Sequence, residues 1–291
     1  MIGRQQGKGE NASNVKMSPP VCLAIAGFDP SGGAGILADA GTFRAFGCWP
    51  AAAVTAVTVQ DTVKVHGYLA LESNLVSAQA GAVLKDLDVR AIKIGMIPSR
   101  ETAMAIAELI REVRCASHNQ LVQVVLDPVF LSSSGHALAG PSVERTIKEH
   151  LLPLVDVVTP NLYEAAALSG MERVHNEYTM VEAGRKIASF GCCVVVKGGH
   201  LEKEAKDLLV SKDALYWMGS DRHEGPSPRG TGCRHSSAIA AGLALGNGLE
   251  QAAEEAHVYL RNIIAGQKGP KGHGMPLLVD TSTYKHLDTK T

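Results

Sequence analysis

The sequence predicts an α/β protein of three layers (αβα), with helices on both faces of a mostly parallel central sheet. Apolar runs of strand length alternate with segments of helical period along most of the chain, a pattern typical of repeated βαβ units. The runs are almost continuously aliphatic, which is typical of parallel strands buried on both faces. One domain of this size is long enough to hold such a sheet.

Six apolar runs are predicted as strands, at residues 21–26, 53–59, 91–94, 121–126, 155–159 and 192–197. Five segments with helical period are predicted as helices, at residues 34–46, 75–84, 100–113, 142–151 and 180–190. Because helices separate the strands, we expect crossover connections between parallel neighbours.

The last third of the chain has a different pattern. Residues 207–210 and 214–218 are short β-rich runs joined by a tight turn, and predict an antiparallel hairpin at one edge of the sheet. Two long helices at about residues 232–245 and 249–266 follow. We find no linker within residues 21–291 and expect one domain there, preceded by a disordered extension at residues 1–20.

Composition points to a small metabolite as the partner. Charged residues make up 20% of the chain and the net charge is −1, so the charge pattern favours neither nucleic acid nor an anionic membrane surface. No apolar run is long enough to cross a bilayer. The first residues lack the apolar stretch of a secretory signal, which leaves an organelle transit peptide as the alternative to a simple extension.

The six cysteines have neither a C-x-x-C pair nor the spacing of zinc ligands. Cys192 and Cys193 are adjacent in a predicted strand, so their side chains are expected on opposite faces. Five of the six are interpreted as core residues, and Cys233 is considered separately below. Such unpaired thiols are typical of a reducing, cytoplasmic environment.

Polar or glycine-rich turns follow all six predicted strands. In open parallel sheets, ligands bind beyond the carboxyl ends of the strands. We therefore expect the residues of these turns to meet at one edge of the sheet, although loop chemistry alone also produces such turns.

Gly230-Thr231-Gly232-Cys233 precedes an alanine-rich helix. The glycines let the backbone turn with its N–H groups exposed, and a helix N-terminus adds unpaired donors and a positive dipole end. This arrangement suits the charge on a transferring phosphoryl group. Cys233 falls in the first turn, where thiol pKa values decrease, and would act as a base toward a hydroxyl group or position it. The alternative is an ordinary glycine-rich helix start.

The turn after the first strand, residues 27–35, reads GFDPSGGAG. It matches neither the dinucleotide-binding nor the P-loop pattern. Its glycines, together with Asp29 and Ser31, favour close approach by a ligand over a plain tight turn. Gln60 and Met96 end two further apolar runs, where an amide and a flexible thioether are suited to hold a flat heteroaromatic ring.

A second group of polar residues is suited to a nucleotide and its metal. Asn161 and Glu164 are either a helix cap with its partner or neighbours of a hydrated Mg²⁺ and phosphates. Asp127, at another strand end, is a further candidate for the metal. Lys197 precedes two glycines and is placed either to reach phosphate or to extend along the sheet edge.

Taken in this order, these segments resemble the hydroxymethylpyrimidine/phosphomethylpyrimidine kinases of thiamine biosynthesis, within the ribokinase superfamily. The resemblance extends from about residue 21 to 274, and its most specific parts are the D-P-S-G-G-A-G run and G-T-G-C. The matching stretches are AGFDPSGGAGILAD (26–39), VTAVTVQDT (54–62), KIGM (93–96), LDPV (126–129), LLPLVDVVTPNLYEAAAL (151–168), VVKGGH (195–200) and GTGC (230–233).

The resemblance implies a ribokinase-like fold and an ATP-dependent transfer to the hydroxymethyl group of the aminopyrimidine, then to its monophosphate. It implies that the ring is held around Gly27, Ala34, Gln60 and Met96, with Asp29 in the same loop. Related kinases of pyridoxal or pyridoxine remain an alternative, because these substrates are also flat rings with a hydroxymethyl arm.

For the nucleotide side, the resemblance implies ATP and Mg²⁺ near Asp127, Asn161, Glu164 and Lys197. Residues 230–233 would form the anion hole, with Cys233 as the base where other superfamily members carry Asp. A homodimer is usual among such relatives.

Several positions differ from the family pattern. Where Lys-Ser-Gly-Asp is usual after D-P-V, residues 133–136 read Ser-Ser-Gly-His. Arg229 stands where His is usual, and Arg234 and His235 stand where Thr or another small residue is usual. The last two are expected beside the anion hole, where they replace the charge lost at Ser133, crowd the pocket or change the acceptor. A pyrimidine-binding regulatory protein that has lost transfer is therefore a further alternative.

Overall fold

The computed structural model describes residues 18–116, 121–132, 135–199, 201, 205–212, 214–220, 228–266, 269–270 and 272–280. It confirms the predicted three-layer α/β architecture. The predicted extension over residues 1–20 lies outside the described residues up to residue 17.

One sheet of nine strands forms the middle layer, in the order β3-β2-β1-β4-β5-β6-β7-β8-β9. The six strands from β2 to β7 in this order are parallel to their neighbours, and the strands at both edges are antiparallel. The strands are β1 (Val21–Phe28), β2 (Trp49–Gln60), β3 (Val65–Ala70), β4 (Val89–Ile94), β5 (Gln123–Leu126), β6 (Val157–Val158), β7 (Cys193–Val196), β8 (Ala205–Val210) and β9 (Leu215–Ser220).

All six predicted strands and the predicted edge hairpin, β8 and β9, are present. The sequence reading missed β3, which pairs with the end of β2 in antiparallel register, Val57 opposite Leu69. β3 contains Gly67 and leaves most of its side chains half-buried or exposed, so it lacks the continuous apolar pattern of a buried strand.

Eight helices with α-helical geometry lie in the described part of the chain. They are α1 (Gly35–Ala45), α2 (Ser73–Asp86), α3 (Arg100–Ala116), α4 (Pro141–Thr146), α5 (Leu162–Ser169), α6 (Glu177–Ala188), α7 (Thr231–Ala244) and α8 (Leu249–Gly266). The helix predicted over residues 142–151 keeps α-helical geometry only as far as Thr146. A π-helical turn at Ile147–Leu151 and a 3₁₀ turn at Leu152–Leu154 follow. Pro153 contributes to this ending, because proline lacks the N–H group needed to continue the α-helical hydrogen bonds.

Two separate apolar cores hold the layers together. One contains Leu23, Ile92 and Ile106 and lies between the sheet and α2 to α6. The other contains Ala24, Phe43 and Ile239 and lies between the sheet and α1, α7 and α8. Burial on both faces accounts for the uninterrupted apolar character of the parallel strands.

The cysteines follow this division. Cys192 belongs to the first core and Cys193 packs against the second, which confirms their opposite orientation. All six cysteines are free thiols. The expectation that five of them are core residues is wrong for Cys115, which is exposed near the end of α3. None of the helices in the described ranges is long and apolar enough to cross a membrane.

Candidate active site

A cavity of about 1020 Å³ opens at the carboxyl ends of the parallel strands. Its walls come from the turns after β1, β2, β4, β5, β6 and β7, from the N-terminus of α7 and from one face of α8. All candidate site residues from the sequence line this cavity: Gly27, Asp29, Ala34, Gln60, Met96, Asp127, Asn161, Glu164, Lys197, Gly230, Thr231, Gly232 and Cys233.

Gly230 is the N-cap of α7 and adopts a left-handed conformation with φ of 70°. A Cβ atom at this position would overlap the Gly33 carbonyl oxygen, so only glycine fits without strain. Gly232, one residue inside the helix, faces the Lys197 ammonium group, whose nitrogen would lie 3.3 Å from a Cβ there. The glycines thus bring the N–H groups at the start of α7 close to the half-buried Lys197 ammonium group.

Cys233 lies in the first turn of α7, as expected. The expectation of a decreased thiol pKa is wrong, because burial raises the pKa of Cys233 despite the opposing charge of Lys93. The nearby carboxylates of Asp39 and Asp127 raise this pKa further. The thiol is therefore protonated near neutral pH in the described structure.

Beneath this helix start lies a buried ion pair that the sequence reading did not single out. Lys93 Nζ lies 2.8 Å from Asp39 Oδ1, and both side chains have no solvent exposure. Ser237 on α7 donates a hydrogen bond of 2.8 Å to the same oxygen. A charged residue inside the apolar strand β4 was the available signal, since a fully buried lysine requires a partner.

Burial acts on both members of this pair. It raises the pKa of Asp39, against the pull of Lys93 and Ser237. It would lower the pKa of Lys93, but the negative charges of Asp39 and Asp127 outweigh burial and raise it. Lys93 therefore holds its proton, and because it lines the cavity, its charge contributes to the field at the head of α7.

A second ion pair joins the turns after β5 and β7. Lys197 Nζ lies 2.7 Å from Asp127 Oδ1, and the Asp127 side chain is 2% exposed. Burial raises the pKa of Asp127, but Lys197 and Lys93 outweigh it and hold this pKa below its ordinary value. Lys197 thus reaches into the cavity and does not extend along the sheet edge.

Asn161 and Glu164 form a complete capping box at the start of α5. Glu164 N–H donates to Asn161 Oδ1 at 2.9 Å, and Asn161 N–H donates to Glu164 Oε2 at 2.8 Å. The two residues therefore cap the helix, as one of the two predicted alternatives required, and both side chains also line the cavity. Burial raises the pKa of Glu164 to about 7, assisted by Asp127 and opposed by Lys197.

Asp29 organises the turn between β1 and α1. It accepts hydrogen bonds from Ser31 N–H at 2.9 Å, Ser31 Oγ at 2.7 Å and Ala34 N–H at 3.0 Å. Its second oxygen also pairs with Arg229 Nη2 at 3.2 Å. Because these contacts occupy both oxygens, Asp29 shapes the loop that presents Gly27 and Ala34 to the cavity.

Gln60, at the end of β2, and Met96, in the turn after β4, both line the cavity. Thr58 Oγ1 lies 3.1 Å from Gln60 Oε1, and Thr55 Oγ1 donates to the Met96 carbonyl at 2.7 Å. A Cβ atom on Gly27 would lie 2.9 Å from Met96 Sδ, so the thioether rests directly on the glycine. Together they give this end of the cavity an apolar wall with one amide.

Arg234 stands beside the anion-binding turn, as expected, since its Nη1 would lie 2.8 Å from a Cβ atom on Gly230. Its guanidinium group is buried and pairs with Asp280 instead of lining the cavity. His235 does line the cavity and is also fully buried. Burial lowers the pKa of His235 to about 4, so the ring is neutral and does not replace a lost cation. Ser133 lies outside the described residues, and His136 is exposed.

His235 belongs to a histidine–aspartate cluster that the sequence did not indicate. His257 Nδ1 on α8 lies 2.9 Å from Asp207 Oδ2, and His235 Nε2 lies 3.5 Å from the same oxygen. The hydrogen bond to Asp207 raises the pKa of His257. Asp207 is buried in β8 and also accepts the Gly198 N–H at 2.9 Å. The cluster thus fixes the turn that follows Lys197.

The chain matches the model of a protein family described as phosphomethylpyrimidine kinase over residues 29–277. It is 43% identical over 247 residues to a hydroxymethylpyrimidine/phosphomethylpyrimidine kinase of Rhizobium meliloti, covering 84% of this chain and 90% of that protein. The kinase of the same name from Escherichia coli is 39% identical over 221 residues, 75% of this chain and 81% of the relative.

Solved structures give the same architecture. A phosphomethylpyrimidine kinase from Clostridium difficile superposes with a TM-score of 0.72 at 36% identity, covering 84% of this chain and 99% of that one. An ADP complex of Bacillus subtilis pyridoxal kinase superposes with a TM-score of 0.82 at 30% identity, covering 91% and 98%. Both comparisons confirm the ribokinase-like arrangement expected from the motifs.

We predict that Lys93→Met lowers the free energy of unfolding by about 3–5 kcal/mol, because it leaves the Asp39 carboxylate buried without its cation. The double variant Lys93→Met/Asp39→Asn removes both charges and should recover most of that loss. Chemical denaturation at neutral pH measures both. If the double variant is no more stable than the single one, the loss in Lys93→Met does not come from an unpaired Asp39 carboxylate.

Proposed function

Because the chain belongs to the phosphomethylpyrimidine kinase family, we propose that it phosphorylates the hydroxymethyl group of 4-amino-5-hydroxymethyl-2-methylpyrimidine with ATP, and then the resulting monophosphate, in thiamine biosynthesis. One observation carries the proposal: a single cavity joins an apolar, amide-bearing end to a helix N-terminus flanked by the buried Lys93 and the half-buried Lys197. The first end suits a flat heteroaromatic alcohol, and the second suits a polyphosphate.

The phosphate end is assigned to the residues at the head of α7. The N–H groups of Thr231, Gly232 and Cys233 are not used by the helix itself and are available to the γ-phosphoryl group. Lys197 approaches this turn and supplies a positive charge, as does the buried Lys93 beneath it. Such fixed donors stabilise the charge that spreads over the phosphoryl oxygens during transfer.

Asp127 and Glu164 are assigned to Mg²⁺, in part through water. Among the described residues, no group of three or more His, Cys, Asp or Glu side chains is placed to hold a metal by itself. Two carboxylates fit Mg²⁺, which takes one or two protein carboxylates and completes its shell with water and nucleotide phosphates. The bound ion would neutralise charge on the phosphates. The raised pKa of Glu164 fits such a role, because a cation would stabilise the carboxylate that burial disfavours.

The acceptor end is assigned to Gly27, Ala34, Gln60 and Met96. Met96 and the glycine backbone give a flat ring an apolar surface, and the Gln60 amide can both donate and accept hydrogen bonds at its edge. Asp29 supports these contacts through its loop. A ring held here would have its hydroxymethyl arm directed toward the head of α7.

Cys233 is assigned as the base that receives the proton of the acceptor hydroxyl. Its place in the anion-binding turn supports this role. Only the thiolate can accept the proton, and because the pKa of Cys233 is raised, the thiol must first lose its own proton. The thiol would otherwise only position the hydroxyl.

Pyridoxal is the second candidate acceptor. The structural likeness to the Bacillus subtilis pyridoxal kinase, with a TM-score of 0.82, exceeds that to the Clostridium difficile phosphomethylpyrimidine kinase at 0.72. The pyridine ring is also flat and carries a hydroxymethyl arm, so the same contacts would serve it.

We propose that two copies associate through the hairpin of β2 and β3. Val57, Val59 and Leu69 lie on one face of this hairpin and are 42%, 64% and 69% exposed. β3 is also an edge strand, whose outer backbone groups are unpaired within the sheet. An apolar patch on such an edge favours contact with another protein surface. The reduced cysteines support a cytoplasmic location for this assembly.

Purified protein with Mg-ATP and the hydroxymethyl pyrimidine should produce ADP and a phosphorylated pyrimidine. ³¹P NMR measures both products over time. The monophosphate and pyridoxal are tested side by side. A larger kcat/KM for pyridoxal than for the pyrimidine would show that pyridoxal is the preferred acceptor. Pyrimidine binding without any turnover would indicate a regulatory protein.

We predict that Cys233→Ala lowers kcat by about 10²–10⁴-fold. In the unsubstituted protein, kcat should rise as the pH increases from about 6 to 9, because a raised pKa leaves little thiolate at neutral pH. This dependence should disappear in the variant. Equal kcat values and equal pH profiles for both proteins would remove Cys233 from proton transfer.

We predict that Asn161→Ala raises the KM for ATP, while Asn176→Ala does not. Both residues cap a helix with a complete capping box, so each substitution should cost about 1 kcal/mol of stability. Asn161 lines the cavity, and Asn176 is exposed on α6's N-terminus. Urea unfolding and initial rates separate the two effects. Equal KM values for ATP in the two variants would show that Asn161 only caps its helix and does not contact the nucleotide.

We predict that Val59→Lys converts a homodimer to monomers, because a buried contact would then contain an unpaired charge. Tyr178→Lys is the matched control, since Tyr178 is 78% exposed on α6, away from the hairpin. Sedimentation velocity reports the mass of each. Unchanged mass for Val59→Lys would place the interface elsewhere.

A further inference from the structure

A strap formed by residues 272–280 borders the cavity near Gln60, with Met275 in the lining. The N–H groups of Gly274 and Met275 donate to the side-chain and backbone oxygens of Thr62, at 3.2 and 2.9 Å. Cβ atoms on Gly272 or Gly274 would overlap the Thr62 side chain and backbone, respectively, so the strap lies in direct contact with Thr62. The strap therefore rests on the turn that follows Gln60.

Arg234 anchors the far end of the strap. Its Nε and Nη2 atoms pair with the two oxygens of Asp280 at 3.0 and 3.1 Å, and Nη2 also donates to the Leu278 carbonyl at 3.2 Å. Tyr259 donates to Asp280 Oδ1 at 2.5 Å. A buried two-point pair of this kind has strict geometry, so it fixes the position of the strap.

Arg229 anchors the near end and ties it to the acceptor loops. Its N–H donates to the Pro276 carbonyl at 3.0 Å. Its guanidinium group pairs with Asp29 at 3.2 Å and donates to the Asp61 carbonyl. The guanidinium lines the cavity, is almost fully buried, and its Nε has no partner among the described residues. Through its backbone and side chain together, Arg229 thus joins three segments beside the anion-binding turn.

Met275 is the strap residue that reaches the cavity. It lines the same space as Gln60 and Asp29, and its thioether is flexible and apolar. Because the neighbouring backbone is held at Thr62 and Arg229, the side chain is presented from a fixed position. It is therefore placed to close over a ring bound at the acceptor end.

We propose that the strap is a wall of the acceptor site, with Met275 as a specificity-determining contact and Arg229 and Arg234 as positioning residues. This inference rests on the proposed function, because it takes the end near Gln60 as the acceptor side. It gives a role to both arginines beside residues 230–233: Arg229 and Arg234 hold the acceptor wall, whereas Lys93 and Lys197 supply the positive charge for the phosphate. The strap should raise acceptor affinity and leave nucleotide affinity unchanged.

Kinetics test the wall. Met275→Ala removes the cavity contact, and Asp280→Asn weakens the anchor without touching the cavity. Both should raise the KM for the pyrimidine about tenfold and change the KM for ATP by less than about twofold, since a lost ground-state contact appears in KM. Val279→Ala is the control, because Val279 is on the strap but 36% exposed. Thermal melts identify any variant that fails to fold, and Met275→Ala leaves both anchors intact.

Hydrogen exchange on the unsubstituted protein tests the strap without using turnover. Adding the hydroxymethyl pyrimidine should slow exchange of the Gly274 and Met275 amides, whereas ATP alone should not. Turnover with unchanged acceptor KM in both variants, or pyrimidine binding that leaves these amides unaffected, would overturn the inference. Slowed amides without turnover would instead overturn only the proposed transfer, and no pyrimidine binding at all would overturn both.

Discussion

Burial of positive charge beneath the start of α7 is the constraint on which the site depends. Lys93 lies inside a strand with no exposure and is tolerated because it donates a hydrogen bond to the Asp39 carboxylate, which also accepts one from Ser237. Its charge adds to that of Lys197, which Asp127 holds from the other side. The helix N-terminus between them is therefore positive before any ligand arrives, and it requires little rearrangement to receive an anion.

This arrangement also explains the chemistry of Cys233. Burial moves the thiol pKa upward, and the nearby lysine only partly compensates. The same low polarity that would strengthen the proposed interaction with phosphate thus disfavours the thiolate. A position in the first turn of a helix was sufficient for predicting where the thiol lies, but its protonation depends on desolvation that the sequence does not display.

The fold was predictable because parallel strands buried on both faces leave an unambiguous apolar pattern. β3 was missed because an edge strand with Gly67 and exposed side chains lacks that pattern. The candidate residues were predictable because each follows a strand, and strand ends converge in such a sheet. Arg234 and the Asp207 cluster were not, since their partners Asp280, His257 and His235 are distant in sequence and only the tertiary fold brings them together.

Gly33 links the two halves of the reaction centre. Its carbonyl oxygen abuts Gly230 and accepts a hydrogen bond from Arg234, while its own Cα faces Leu277. The loop after β1, the head of α7 and the strap are consequently interlocked parts of one assembly. Any redesign of acceptor choice by loop grafting would have to exchange these three segments as a matched set, because a new loop alone would meet a helix and a strap shaped for the old one.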